Sequence, residues 1–189
     1  NLTVVIVGDL DTATTAAHIK RAFGRLPSAE RIPRNPTTVI EQHGERRADV
    51  FFDAKIPLLF VGWHTPPTGH ADGETLDIAS QILSGGRSSR LYRSLVYDAE
   101  KALYAHGSYW EMSDAGMFYA SAGARPGVPL DEVEALFMAE IDLVATEGVT
   151  DEEVARAKRQ MEVSLINRFA TNHSLASRVG REIVAFGRV

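Results

Sequence analysis

Apolar side chains recur along this chain in two rhythms, one suited to strands and one to helices. Leu2-Thr-Val-Val-Ile-Val7 is β-branched and nearly continuous, the pattern of a strand covered on both faces. After the turn at Gly8-Asp-Leu-Asp11, the residues Ala16, Ile19, Ala22 and Phe23 mark one face of a helix. Asp11 is placed to cap it and Gly24, with Leu26 and Pro27 beyond, to stop it. Residues 27–47 carry Pro27, Pro33, Pro36 and a mixed-charge run from Glu41 to Arg47, which reads as an exposed, extended connection. Ala48-Asp-Val-Phe-Phe52 and Pro57-Leu-Leu-Phe-Val-Gly-Trp63 then predict two strands, followed by a loop at Thr65-Pro-Pro-Thr-Gly69.

Leu76, Ala79, Ile82 and Leu83 predict a helix that ends at Gly85-Gly86. Ser88 or Ser89 can cap a short helix carrying Leu91, Tyr92, Leu95 and Val96. Residues 102–111 and 117–124 alternate as paired strands across a turn at Ser113-Asp-Ala-Gly116. Three helices complete the pattern. The first starts at Pro129 and presents Leu130, Val133, Phe137, Ile141 and Val144. The second opens with the capping box Thr150-Asp-Glu-Glu153 and presents Val154, Ala157, Met161, Leu165 and Phe169. The third presents Leu175, Val179, Ile183 and Phe186. The order β-α-β-β-α-α-β-β-α-α-α lacks regular β-α-β alternation. It predicts an α+β, two-layer fold: a mostly antiparallel sheet with helices packed on one face.

Composition narrows the chemistry. The chain has 189 residues, 44% of them apolar, which suits one domain with a sizeable core. With no Cys there is no thiolate zinc site and no Cys nucleophile. The net charge of −5 is spread without a basic stripe, so no nucleic-acid partner is expected. No apolar run is long enough to span a bilayer, so no membrane partner is expected either. The chain opens at Asn1, directly in a strand-like run, which suggests an excised piece of a longer protein or a processed one.

The candidate catalytic constellations are weak. None of the six His has a partner at metalloprotease spacing on a helix. The nearest grouping, His64 and His70 with Asp72 and Glu74, falls in a Pro/Gly loop and reads better as a solvated polar loop. No G-x-S-x-G elbow is present. The turn Gly85-Gly-Arg-Ser-Ser-Arg90 could hold an anion with Arg87 and Arg90, but a helix stop followed by a cap explains it locally. Tyr104, His106, Ser108 and Trp110 share one strand face that could line a cleft; rings packed beneath helices are the competing explanation.

Taken in order, these segments resemble one family. Asn1 to Asp11 with the helix ending in Phe23-Gly24, then Gly44-Glu-Arg-Arg47, the Pro57 strand, Ile82-Leu-Ser-Gly-Gly-Arg-Ser-Ser-Arg-Leu-Tyr92 and Gly148-Val-Thr-Asp-Glu-Glu-Val-Ala-Arg-Ala-Lys158 are similar to the metal-free C-terminal half-domain of insulinase/pitrilysin-type zinc metallopeptidases, relatives of the mitochondrial processing peptidase. The resemblance implies a metallopeptidase half-domain of the LuxS/processing-peptidase type, with residues 1–189 forming a single half-domain of a longer peptidase. It implies zinc in the parent enzyme and none in this chain, with H-x-x-E-H and the general base on a zinc-bearing half-domain in the same chain or a partner subunit. The chain alone is then expected to be inactive, to carry no catalytic residue and no metal ligand, and to enclose a peptide substrate. The family's "L-R-E-x-x-G-L-A-Y" segment corresponds here to Leu95-Val-Tyr-Asp-Ala-Glu-Lys-Ala-Leu-Tyr104, with Val96 in place of the Arg, no Gly, and one extra residue before the Tyr. The resemblance therefore implies Tyr104 as the leading substrate contact, with Arg90 or Arg93 as substitutes for the missing Arg. A non-proteolytic scaffold domain, related to processing-peptidase core subunits, is the alternative it implies.

Overall fold

A computed structural model of the chain describes residues 2–27 and 40–187. Part of the predicted connection over residues 27–47 lies outside the described residues. The chain divides into two compact units, one drawn from residues 1–37 and 162–189 and the other from residues 38–161.

The 38–161 unit is built on a three-stranded antiparallel sheet. Its strands are β1 (Leu58–Thr65), β2 (Ala102–Trp110) and β3 (Gly116–Ala124), in the order β1-β3-β2. Side chains alternate between faces along a strand, so one register fixes both faces. Leu59, Val61 and Trp63 on β1 stand opposite Ala122, Ala120 and Phe118 on β3, which in turn face Ala105, Gly107 and Tyr109 on β2. These residues form the covered face. The central strand contributes Ala120, Ala122 and Ala124 there, none of them accessible to solvent. Small side chains let the helices approach closely, and Gly107 takes this furthest: a Cβ at Gly107 would stand 2.8 Å from the Ala120 Cβ and 3.2 Å from the Ser84 Oγ.

Helices α2 (Gly73–Ser84) and α3 (Leu130–Glu147) pack on that face. The 3.6-residue period of α3 brings Val133 and Phe137 inward, and both are fully buried. The Phe137 ring stacks on Trp63 with centroids 6.4 Å apart. Leu91 and Leu95 complete the core beside them. The predicted short helix over 91–96 is instead a π-helical segment at Tyr92–Asp98, where the Ala99 N–H donates to the Ser94 carbonyl five residues back. Ser89 does not cap it by accepting from the next turn; its hydroxyl donates to the Gly86 carbonyl at 2.7 Å.

Two predicted strands do not form. Residues 48–52 join no ladder, and the Ala54 N–H donates to the Phe52 carbonyl at 2.8 Å, a three-residue reversal that breaks extension. Residues 2–7 also pair with no strand among the described residues. They belong to the other unit, where a Cβ on Gly180 of helix α5 (Asn172–Phe186) would lie 3.8 Å from the Val5 side chain. A β-branched run becomes a strand only when a neighbouring edge supplies hydrogen-bond partners.

The remaining helices follow the sequence signals. In α1 (Thr12–Phe23) the Asp11 carboxylate accepts from the Thr14 N–H at 2.8 Å, and the Gly24 N–H closes the last turn on Lys20. Helix α4 (Asp151–Arg168) opens on the capping box, with Glu153 accepting from the Thr150 N–H at 2.9 Å and the Thr150 hydroxyl accepting from the Glu153 N–H at 3.2 Å.

One-sided coverage of the sheet is testable by paired truncations. Phe137→Ala on the covered side is expected to cost about 3–5 kcal/mol. Phe60→Ala on the opposite side, where the ring is 62% exposed, is expected to cost under about 1 kcal/mol. Urea unfolding of both variants checks this; equal losses would mean that both faces are covered.

Candidate open sheet face

Within the 38–161 unit, α2 and α3 cover the first face of the sheet, and most side chains of the second face are exposed or half-buried. Its rows run across the three strands. Leu58, Gly123 and Tyr104 stand in the first, Phe60, Ser121 and His106 in the second, Gly62, Tyr119 and Ser108 in the third, and His64, Met117 and Trp110 in the fourth. Phe60 and Tyr119 stack with centroids 5.7 Å apart and planes 17° apart. Trp110 is 56% exposed and Tyr104 39% exposed. The face thus offers aromatic and thioether surface, two imidazoles and hydroxyls, and it carries no carboxylate and no Lys or Arg. Such a surface can hold an extended chain through apolar contact and stacking, with Tyr104, Tyr119 and Ser108 supplying polar tips.

The sequence-predicted site residues occupy two places. Tyr104 lies on this open face. Arg90 and Arg93 line a separate surface groove with Ser88, Ser94, Asp98 and Arg156, and Tyr104 is not among its lining residues. Arg93 is exposed, with its Nε 3.9 Å from the Asp98 carboxylate. Arg90 is committed elsewhere. Its Nε and Nη2 donate to the two oxygens of Glu153 at 2.7 and 2.9 Å, and Nη2 also donates to the Gly148 carbonyl at 3.2 Å. This two-pronged pair ties the segment before the π-helix to the α3–α4 junction.

Glu153 is the residue that sequence reasoning undervalued. The capping box identified it as a local helix start, and nothing in its spacing signalled Arg90, which is 63 residues away. The Arg90 guanidinium, helped by the Thr150 N–H, holds the Glu153 carboxyl down at about 2, against an ordinary 4.5. The same contact pushes the Arg90 guanidinium up.

The other candidates resolve locally. The His70 Nδ1 accepts from the Asp72 N–H at 3.2 Å and lies 3.5 Å from the Asp72 carboxylate, while His64 sits on the open face of β1. Among the described residues no group of three or more His, Asp or Glu is placed to hold a metal ion. The turn after α2 closes on itself: the Gly85 N–H donates to Gln81, Gly86 takes the left-handed conformation (φ 86°), and the Arg87 guanidinium sits over the Tyr92 ring at 5.9 Å.

Comparison with known proteins agrees with this architecture. The profile of the peptidase M16 inactive domain matches residues 1–161. Zinc protease PqqE of Helicobacter pylori is 25% identical over 179 residues, which is 93% of this chain and 40% of that protein. An uncharacterized zinc protease of Streptomyces coelicolor is 31% identical over 113 residues, 59% of this chain and 24% of that protein. In structure, a protease from Helicobacter pylori superposes with a TM-score of 0.87 at 23% identity, covering 95% of this chain and 44% of that one. A peptidase M16 inactive domain from Pseudomonas fluorescens superposes with a TM-score of 0.75 at 20% identity, covering 93% of this chain and 41% of that one. These superpositions show a shared fold. The chain spans less than half the length of the curated relatives it matches.

The Arg90–Glu153 pair makes a pH prediction. A carboxyl whose pKa is lowered on folding adds stability that is present above its unfolded value and lost as pH falls through its folded value. Stability from this pair is therefore expected to decline between pH 4.5 and about 2. Glu153→Gln is expected to cost about 1 kcal/mol near neutral pH and to remove that part of the acid dependence. Urea midpoints across this pH range check it; an unchanged acid slope in the variant would show that the pair is idle.

Proposed function

The chain belongs to the peptidase M16 inactive-domain family, and from that premise we propose that it is the substrate-enclosing, non-catalytic half-domain of a zinc-dependent metalloendopeptidase acting on peptides. Zinc and the general base come from a zinc-bearing half-domain, in the same chain or in a partner subunit. Residues 1–189 serve as the single metal-free half-domain of that longer peptidase.

The open aromatic face carries this reading. A peptidase wall has to hold many sequences in extended form, which calls for apolar, stackable surface and for backbone partners more than for charge. The sheet supplies the first through Phe60, Tyr119, Trp110 and Tyr104. Its two outer strands, β1 and β2, each pair on one side only among the described residues, and a free strand edge supplies the second. Tyr104 is the leading contact, its phenol donating to a substrate carbonyl. Arg93 is the better of the two arginine candidates, because the Arg90 guanidinium is already held by Glu153.

The scaffold alternative draws on Val96, which stands where the family's segment has an arginine. A single assay separates the two. Cleavage of an internally quenched peptide is measured with the zinc-bearing half alone, with this chain added, and with its Tyr104→Phe variant. Addition of this chain is expected to raise kcat/KM at least tenfold, and loss of the phenol to lower it by a factor of about 5–10, the worth of one hydrogen bond. No change on addition would sink the wall role and leave the scaffold reading.

A further inference from the structure

Tyr104 reaches the open face through an irregularity in β2. Ala102 stands opposite Ala124, yet the residue opposite the next position, Gly123, is Tyr104. Leu103 is supernumerary, two residues facing one, and its side chain is 49% exposed. From Tyr104↔Gly123 the register then runs unbroken to Trp110↔Met117. Side chains alternate with period 2, so an extra residue that stayed in the ladder would turn Tyr104 toward the covered face. The bulge absorbs it.

Two features flank the bulge. Glu100 has φ 53°, the left-handed conformation that residues with a Cβ rarely adopt. Its carboxylate lies 3.4 Å from the Arg125 Nη1. The Arg125 Nε donates to the Ala102 carbonyl at 3.4 Å, and the Arg125 backbone N–H donates to the Lys101 carbonyl at 2.9 Å. One residue at the end of β3 thus touches three consecutive residues leading into the bulge. On the far side, Gly123 leaves the space that the ring fills. A Cβ there would stand 2.5 Å from the Tyr104 Cε1 and 2.9 Å from the Ile56 Cδ1.

We propose that Glu100 and Arg125 form a clip that seats the Tyr104 ring over Gly123, with the Leu103 bulge absorbing the extra residue and Glu100 and Arg125 as positioning residues for peptide contact. The proposal rests on the reading of Tyr104 as a peptide contact. Both partners of the Glu100–Arg125 pair are partly solvent-exposed, so the pair adds little to global stability. Its effect falls on the local geometry: it holds a turn that the sequence, with Glu in a left-handed position, disfavours.

The test has two readouts on the chain labelled with 13C-glycine. The Gly123 Hα resonance reports the Tyr104 ring directly through its ring current. Anisotropy of fluorescein-labelled casein, an unfolded chain, reports peptide binding. Arg125→Ala is expected to abolish the ring-current displacement and to weaken casein binding several-fold, with Arg125→Lys restoring part of both. Glu100→Gly keeps the left-handed turn and removes only the carboxylate, so it is expected to lose part of the displacement while remaining folded. Deletion of Leu103 is expected to preserve the displacement, whereas deletion of His106, inside the regular ladder, is expected to abolish it. An undisturbed Gly123 signal in both Arg125→Ala and Glu100→Gly would overturn the clip. A disturbed signal with casein binding indifferent to Tyr104→Leu would uphold the clip and overturn the reading of Tyr104.

Discussion

The arrangement of the 38–161 unit depends on how closely the central strand lets helices approach. Ala120, Ala122 and Ala124 alternate on the covered face of β3 with no accessible surface, and Gly107 beside them admits the end of α2. A larger side chain in that row would push the helix layer away and open voids around Phe137, and interiors are packed too tightly to absorb such a gap. The same alternation that sends small residues to the helices sends Tyr119 and Met117 to the other side. One strand therefore sets both the core and the open face.

A second constraint fixes the helix layer at its end. The Arg90–Glu153 pair is two-pronged and largely shielded, with the side chains 20% and 14% exposed. Glu153 performs two tasks with one carboxylate, closing the first turn of α4 and gripping the segment before the π-helix. That double duty explains why Arg90 is a poor candidate for binding anything else. Releasing it would leave a carboxylate with half its partners at a helix start.

Local signals in the sequence survive best where the physics is local. Asp11, the capping box at Thr150, the stop at Gly85-Gly86 and the hairpin turn before Gly116 all stand where the residue pattern put them, because each depends on a few neighbouring backbone groups. Residues 2–7 and 48–52 have strand composition and yet form no strand, because pairing is decided by distant partners. The shared face of Tyr104, His106, Ser108 and Trp110 was legible from period 2 alone, since the bulge lies before Tyr104 and leaves the rest of β2 in register. That this face is the open one was not legible; the choice between cleft and core depends on where the helices lie. The pairing of Arg90 with Glu153 was hidden by sequence separation.

The departures from the family's segment fit one another when placed on the structure. The chain lacks the glycine before the tyrosine, and Glu100 nevertheless adopts the conformation that glycine takes without strain. It carries one residue too many, and Leu103 leaves the ladder, so that Tyr104 still faces Gly123. Both changes act on backbone geometry, and both are compensated there. The third change, Val96 for arginine, is of another kind, because a missing positive charge cannot be restored by a turn. The open face carries no Lys or Arg in its place, and Arg93 lies on a different groove. Under the proposed reading, this half-domain then contributes grip through rings and backbone. Stabilising the charge that develops on a scissile carbonyl would fall to the zinc-bearing half, with at most one phenol added from this side.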